Sequence, residues 1–138
     1  MFYLSKEDKA KKAVKTFLKA VKYNVSFESI EDFLKTQGFG LIAFNTKKGD
    51  AEIEKHSLQN MTTERAFTYA GESRLVFVDV TLHPRDKILI LLHEVAHVIF
   101  EHVGINKHFT RDEVKAEIEA DAFAYGVLVH KRARVQTF

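Results

Sequence analysis

Residues 87–103 read Lys-Ile-Leu-Ile-Leu-Leu-His-Glu-Val-Ala-His-Val-Ile-Phe-Glu-His-Val, and apolar side chains occupy almost every side of this segment on a helical wheel. A helix that is apolar nearly all round is stable only when enclosed, so the rest of the chain must wrap around it. Pro84 suits its first turn because it lacks an N–H that would go unpaired there, and Asp86 favours the same helix start. Gly104 marks its expected end. A length of 138 residues fits one domain, 1–138. Apolar residues make up 46% and charged residues 29% of the chain, the balance of a soluble globular protein. Twelve Phe supply large core side chains. No stretch approaches the roughly 20 apolar residues of a membrane span, so no membrane partner is expected. Charges begin too early after Met1 for a signal peptide. The absence of cysteine excludes disulfides, thiolate metal ligands and a cysteine nucleophile. The expected compartment is the cytoplasm.

Around the central helix the pattern predicts an α+β layout. Residues 5–23 form an amphipathic helix, with Ser5 as N-cap and Ala10, Ala13, Val14, Phe17, Leu18 and Val21 at helical spacing. Its other face carries seven lysines against only Glu7 and Asp8. The net charge of the whole chain is only +2, so a solvated basic face explains the lysines and a nucleic-acid partner is not expected. A second helix starts near Ser26 and ends at Gly38. Leu41–Phe44 reads as a buried strand, and a short helix is expected from Ala51 to Gln59. Arg65–Tyr69 and Arg74–Val80 flank a short Gly-containing turn and predict a hairpin. A last helix runs from about Asp112 to Lys131. The expected fold is N-terminal helices, a small sheet with a hairpin, the central helix and a C-terminal helix.

The central helix contains His93-Glu94-Val95-Ala96-His97, an H-E-x-x-H motif. Residues four apart lie about 40° apart around a helix, with Cβ atoms about 5–6 Å apart, so both imidazoles can reach one ion. Glu94 sits on the flank of the pair, placed to hold the ion's water as a general base rather than to ligate. Zinc suits this set, since it accepts imidazole and carboxylate and keeps an open position for water. One ion per chain is expected.

A third ligand is needed. The last helix offers Glu117, Glu119 and Asp121 in an otherwise apolar stretch, and buried carboxylates need cations or donors. Glu117 and Asp121 share a face. Glu119 is turned away by the helical period and has Lys115 four residues earlier for an ion pair. Glu117 is therefore the expected third ligand, and Asp121 the carboxylate that fixes the tautomer of a ligand histidine.

His93-Glu94-Val95-Ala96-His97, followed after a 20-residue step by Glu117-x-Glu119-Ala120-Asp121-x-Phe123-Ala124, resembles the ImmA/IrrE family of metallopeptidases. The resemblance covers about residues 65–130. It implies a gluzincin-like, zinc-dependent endopeptidase whose third ligand is the first acid of the second motif, here Glu117. It also implies a protein partner, commonly a helix-turn-helix repressor that is relieved by cleavage. Two departures stand out. Val95-Ala96 replaces the Leu-Gly often found before the second histidine, and Leu128-Val129-His130 replaces a Leu-Met-Pro-like end to the last helix.

Other residues carry weaker expectations. His102, His108, Tyr69 and Tyr125 are candidate oxyanion donors, although helix-end placement explains the histidines and core packing the tyrosines. His83 is expected only to precede the helix cap. Set against the endopeptidase reading is a non-catalytic, metal-binding regulatory or antitoxin-like module.

Overall fold

The computed structural model describes residues 6–100 and 111–136. In chain order the elements are α1 (Lys6–Ala20), β1 (Asn24–Val25), α2 (Phe27–Thr36), β2 (Gly40–Phe44), α3 (Lys47–Lys55), β3 (Ala66–Ala70), β4 (Arg74–Asp79), α4 (Pro84–Ile99), α5 (Arg111–Val129) and β5 (Arg134–Val135). The fold is α+β. No helix among the described residues is long and apolar enough to cross a membrane.

The three-stranded sheet has the order β2-β4-β3, with β2 parallel and β3 antiparallel to β4. Strand periodicity sends alternate side chains to opposite faces, and this sheet uses both. Leu41, Ala43, Ala66, Val76 and Val78 join the core built with α1, α2, α4 and α5. Ile42, Phe44, Phe67, Tyr69, Leu75 and Phe77 form a second apolar layer with Ile53 of α3. There Phe67 and Phe77 stack with centroids 4.8 Å apart. The central helix is enclosed as its composition demands. Ile88, Leu91, Leu92, Val95 and Ala96 are buried between the sheet and α5.

Several boundaries differ from expectation, each for a local reason. The helix expected over Ala51–Gln59 starts earlier, at Lys47, because the Thr46 hydroxyl accepts from the Gly49 N–H at 2.9 Å. Gly49 then sits against β2 so closely that a Cβ would collide with the Ala43 carbonyl oxygen. Helix α1 stops at Ala20 because Lys22 and Tyr23 take left-handed φ values of 55° and 60°. Its lysines Lys9, Lys11, Lys12, Lys15 and Lys19 are exposed, as expected, while Ser5 lies outside the described residues. Helix α2 is capped by Ser26, which exchanges hydrogen bonds with Ser29. Helix α4 ends at Ile99, where Phe100 leaves helical geometry with ψ 6° and its N–H still bonds Ala96; the expected last residue, Val103, lies outside the described residues. Gly104 lies outside the described residues. His83 is itself the cap of α4, its Nδ1 accepting from the Arg85 N–H at 3.2 Å. The parallel pair β1–β5 was not expected. It is completed by Arg134 N–H to Tyr23 O and Gln136 N–H to Val25 O, with Arg132 lying 4.1 Å over the Tyr23 ring.

One carboxylate ties the end of β4 to the turn after β2. Asp79 Oδ1 accepts from Asn45 Nδ2 at 2.8 Å, from the Thr81 N–H at 2.9 Å and from the Thr81 hydroxyl at 2.7 Å. Burial is the largest single influence on its acidity and raises its pKa. The bonds from Asn45 and Thr81, with the charge of Lys87, outweigh that and hold Asp79 below its ordinary value. A depressed carboxylate stabilises the fold above its unfolded pKa of about 3.9, and that stability is lost as pH falls through the lower folded value. Asp79→Asn is therefore expected to cost about 1 kcal/mol at pH 7, given partial solvent screening. In urea denaturation the gap to the wild type should close as the pH drops below about 4. A gap that stays constant from pH 7 to acid would mean that the charge on Asp79 contributes nothing.

Candidate metal centre

Helix α4 places His93 and His97 one turn apart, their rings 4.7 Å apart and nearly edge to face at 78°. Their neighbours Leu92, Val95, Ala96 and Val98 are buried, so the helix cannot rotate to expose the histidines further. The two side chains remain 22% and 14% accessible. They line a polar window in the middle of a helix that is otherwise mostly apolar from Ile88 onward.

Helix α5 closes that window from the other side. Its Ala116, Ala120, Phe123, Ala124 and Val127 are buried, and small side chains at three of these positions let the two helices approach closely. Glu117 spans both imidazoles. Its Oε2 lies 2.8 Å from His93 Nε2 and its Oε1 lies 3.2 Å from His97 Nε2. One turn on, Asp121 Oδ1 lies 3.0 Å from His93 Nδ1. One ligand atom each from His93, His97 and Glu117 fall within 4.8 Å of one another, the donor set of a three-ligand site with an open position. Glu119, two residues along, is not part of this group.

Both ring nitrogens of His93 face carboxylate oxygens. With Nδ1–H donated to Asp121, the tautomer and ring orientation would be fixed and Nε2 would keep its lone pair for a metal. Two imidazoles and a carboxylate that converge are the donor types a divalent metal takes, so the residues present fit one.

Glu94 is held from the sheet. The Thr68 hydroxyl on β3 donates to Glu94 Oε2 at 2.7 Å. Thr68 was not singled out in the sequence, although strand alternation put it on the same side as Ala66, the side that faces α4. The remaining candidates divide. Tyr69 packs in the layer of the sheet away from α4, its ring 4.9 Å from that of His56. Tyr125 does not pack in the core as expected. It is 58% exposed, because the helical period sets it on the outer side of α5 with Val114, Ile118 and Val129, which are also exposed. His102 and His108 lie outside the described residues.

The family model for peptidase M78, described as the IrrE N-terminal-like domain, matches residues 47–133, from α3 through α5. No curated protein and no solved structure matches the chain.

The geometry separates the three acids of α5 by their expected effect on metal binding. Glu117→Ala removes the carboxylate that reaches both histidines, and should weaken zinc binding more than either neighbour. Asp121→Ala should weaken it about 10–100-fold, the usual cost of losing a partner behind a ligand histidine. Glu119→Ala should leave the affinity within about twofold, since no coordination is lost. A zinc titration in which Glu119→Ala releases the metal while Glu117→Ala retains it would overturn this arrangement.

Proposed function

The chain belongs to the peptidase M78 (IrrE N-terminal-like) family, and on that premise we propose that it is a zinc-dependent endopeptidase cleaving a protein partner. The observation that carries the reading is the convergence of His93, His97 and Glu117 beside Glu94 within the matched region. We take His93, His97 and Glu117 as the ligands of one zinc ion. Zinc, when bound, polarises the scissile carbonyl and acidifies the attacking water. Glu94 accepts the proton of that water on its carboxylate and passes it to the leaving amine. Asp121 orients His93 through Nδ1, so that Nε2 stays directed at the centre.

An extended polypeptide substrate is supported by the edge of the sheet. Among the described residues β3 has β4 on one side and no strand on the other. Asp79 N–H bonds Arg65 O and Gly71 N–H bonds Ser73 O, so in the alternating antiparallel ladder the backbone groups of Ala66, Thr68 and Ala70 turn away from β4. They can pair with an added strand beside the helix that carries Glu94. As partner we propose a cytoplasmic helix-turn-helix repressor, the substrate class that the family resemblance implies.

The test uses the zinc-loaded protein and a helix-turn-helix repressor chosen from the products of the genes beside its own. Wild type should cut the repressor. Glu94→Gln should keep about one zinc per chain yet lose at least 10²-fold in cleavage rate, the contribution of a positioned general base. Undiminished cleavage by Glu94→Gln would remove Glu94 from the chemistry. A wild type that holds zinc and binds the repressor without cutting it would make the protein a non-catalytic module.

A further inference from the structure

We propose that Thr68 is a positioning residue for Glu94, a brace on the sheet that sets the direction of the general base on the helix. The inference rests on the endopeptidase reading above. Its observation is the bond from Thr68 Oγ1 to Glu94 Oε2, 2.7 Å long and joining residues 26 apart in sequence.

A free glutamate can rotate about three side-chain bonds, so its place on α4 does not by itself fix where its carboxylate points. The two ends of this bond differ in stiffness. Thr68 pairs with Val76 in the middle of β3, and its β-branched side chain has few accessible χ1 states. The hydroxyl is therefore a fixed donor. A bond to an ionised carboxylate is shorter and stronger than one between neutral groups, and it holds one oxygen of Glu94 in place relative to His93 and His97. Packing does not require the hydroxyl. Valine has the same shape, favours strands equally, and already fills the neighbouring positions Val76 and Val78 on this face of the sheet. A hydroxyl in a half-buried position facing the active helix is explained by what it donates to.

The brace also couples two jobs of one strand. Thr68 presents its backbone groups to the open edge of β3 and its side chain to Glu94, so a substrate strand seated on that edge is registered to the general base through a single residue.

The test is a double-mutant cycle on the zinc-loaded protein, with acetohydroxamate as the probe. This ligand chelates a metal and offers its hydroxyl proton to an adjacent carboxylate. Thr68→Val should keep one zinc per chain and weaken acetohydroxamate about tenfold, while Thr68→Ser, which keeps the donor, should stay within about threefold of wild type. In a Glu94→Ala background, which removes the acceptor, Thr68→Val should change the affinity by less than about twofold, because the group it acts through is gone. Equal losses in both backgrounds, or no rescue by serine, would make Thr68 a packing residue and overturn the proposal. Unchanged affinity in Thr68→Val with Glu94 present would do the same. A wild type that takes up no zinc would instead defeat the endopeptidase reading itself.

Discussion

The enclosure of α4 is the constraint from which the rest follows. Its buried Ile88, Leu91, Leu92, Val95 and Ala96 leave almost no side that water can face, so each neighbouring element is present to cover part of it. The sheet contributes Ala66, Val76 and Val78, and α5 contributes Ala120, Phe123, Ala124 and Val127. Fully burying one such aliphatic side chain is worth about 1.5–3 kcal/mol, so any rotation of α4 that exposed one would be opposed by that amount. The same enclosure fixes the azimuth of His93, Glu94 and His97. Orientation of the polar residues is a by-product of apolar packing.

The two faces of the sheet divide the work. Apart from Leu41, the face toward α4 carries small and β-branched residues, Ala43, Ala66, Val76 and Val78, which let the helix lie close. The far face carries Phe44, Phe67 and Phe77, whose bulk gives α3 something to cover. Thr68 sits in the first set by parity, and its short side chain is what a close approach allows. A longer side chain there would push β3 away from α4 and remove Glu94 from reach.

Legibility in the sequence tracked the strength of the repeating signal. Helices α1, α2, α4 and α5 have enough turns for a 3.6-residue period, and the hairpin β3–β4 shows both strand composition and a turn. The histidines and Glu117 could be read because an i, i+4 relation on a helix is nearly a distance. What failed were features with no period to read. Helix α3 buries only Gly49 and Ile53, so its start was set by a single cap, Thr46. Strands β1 and β5 are two residues each and exist through pairing between chain positions more than a hundred residues apart. Tyr125 was misplaced because residue type suggested burial while its angle on α5 pointed outward. Thr68 was legible in principle from alternation, but only once β3 was known to lie over α4.

The polar contacts between α4 and α5 can now be set against their cost. Glu117 and Asp121 are 58% and 61% accessible at their side chains, so neither is deeply desolvated, and as bare ion pairs they would contribute about 0–1 kcal/mol each. Ala120, Phe123, Ala124 and Val127 of α5 are buried in the core beside α4, so the apolar seam carries most of the burial between the two helices. The two acids lie along one edge of that packed seam, two carboxylates against the imidazoles of His93 and His97. An arrangement that adds little to stability, brings acceptors together and leaves them half open to solvent is poorly explained as structural support. It is well explained as a receptor for a cation that enters from the solvent side.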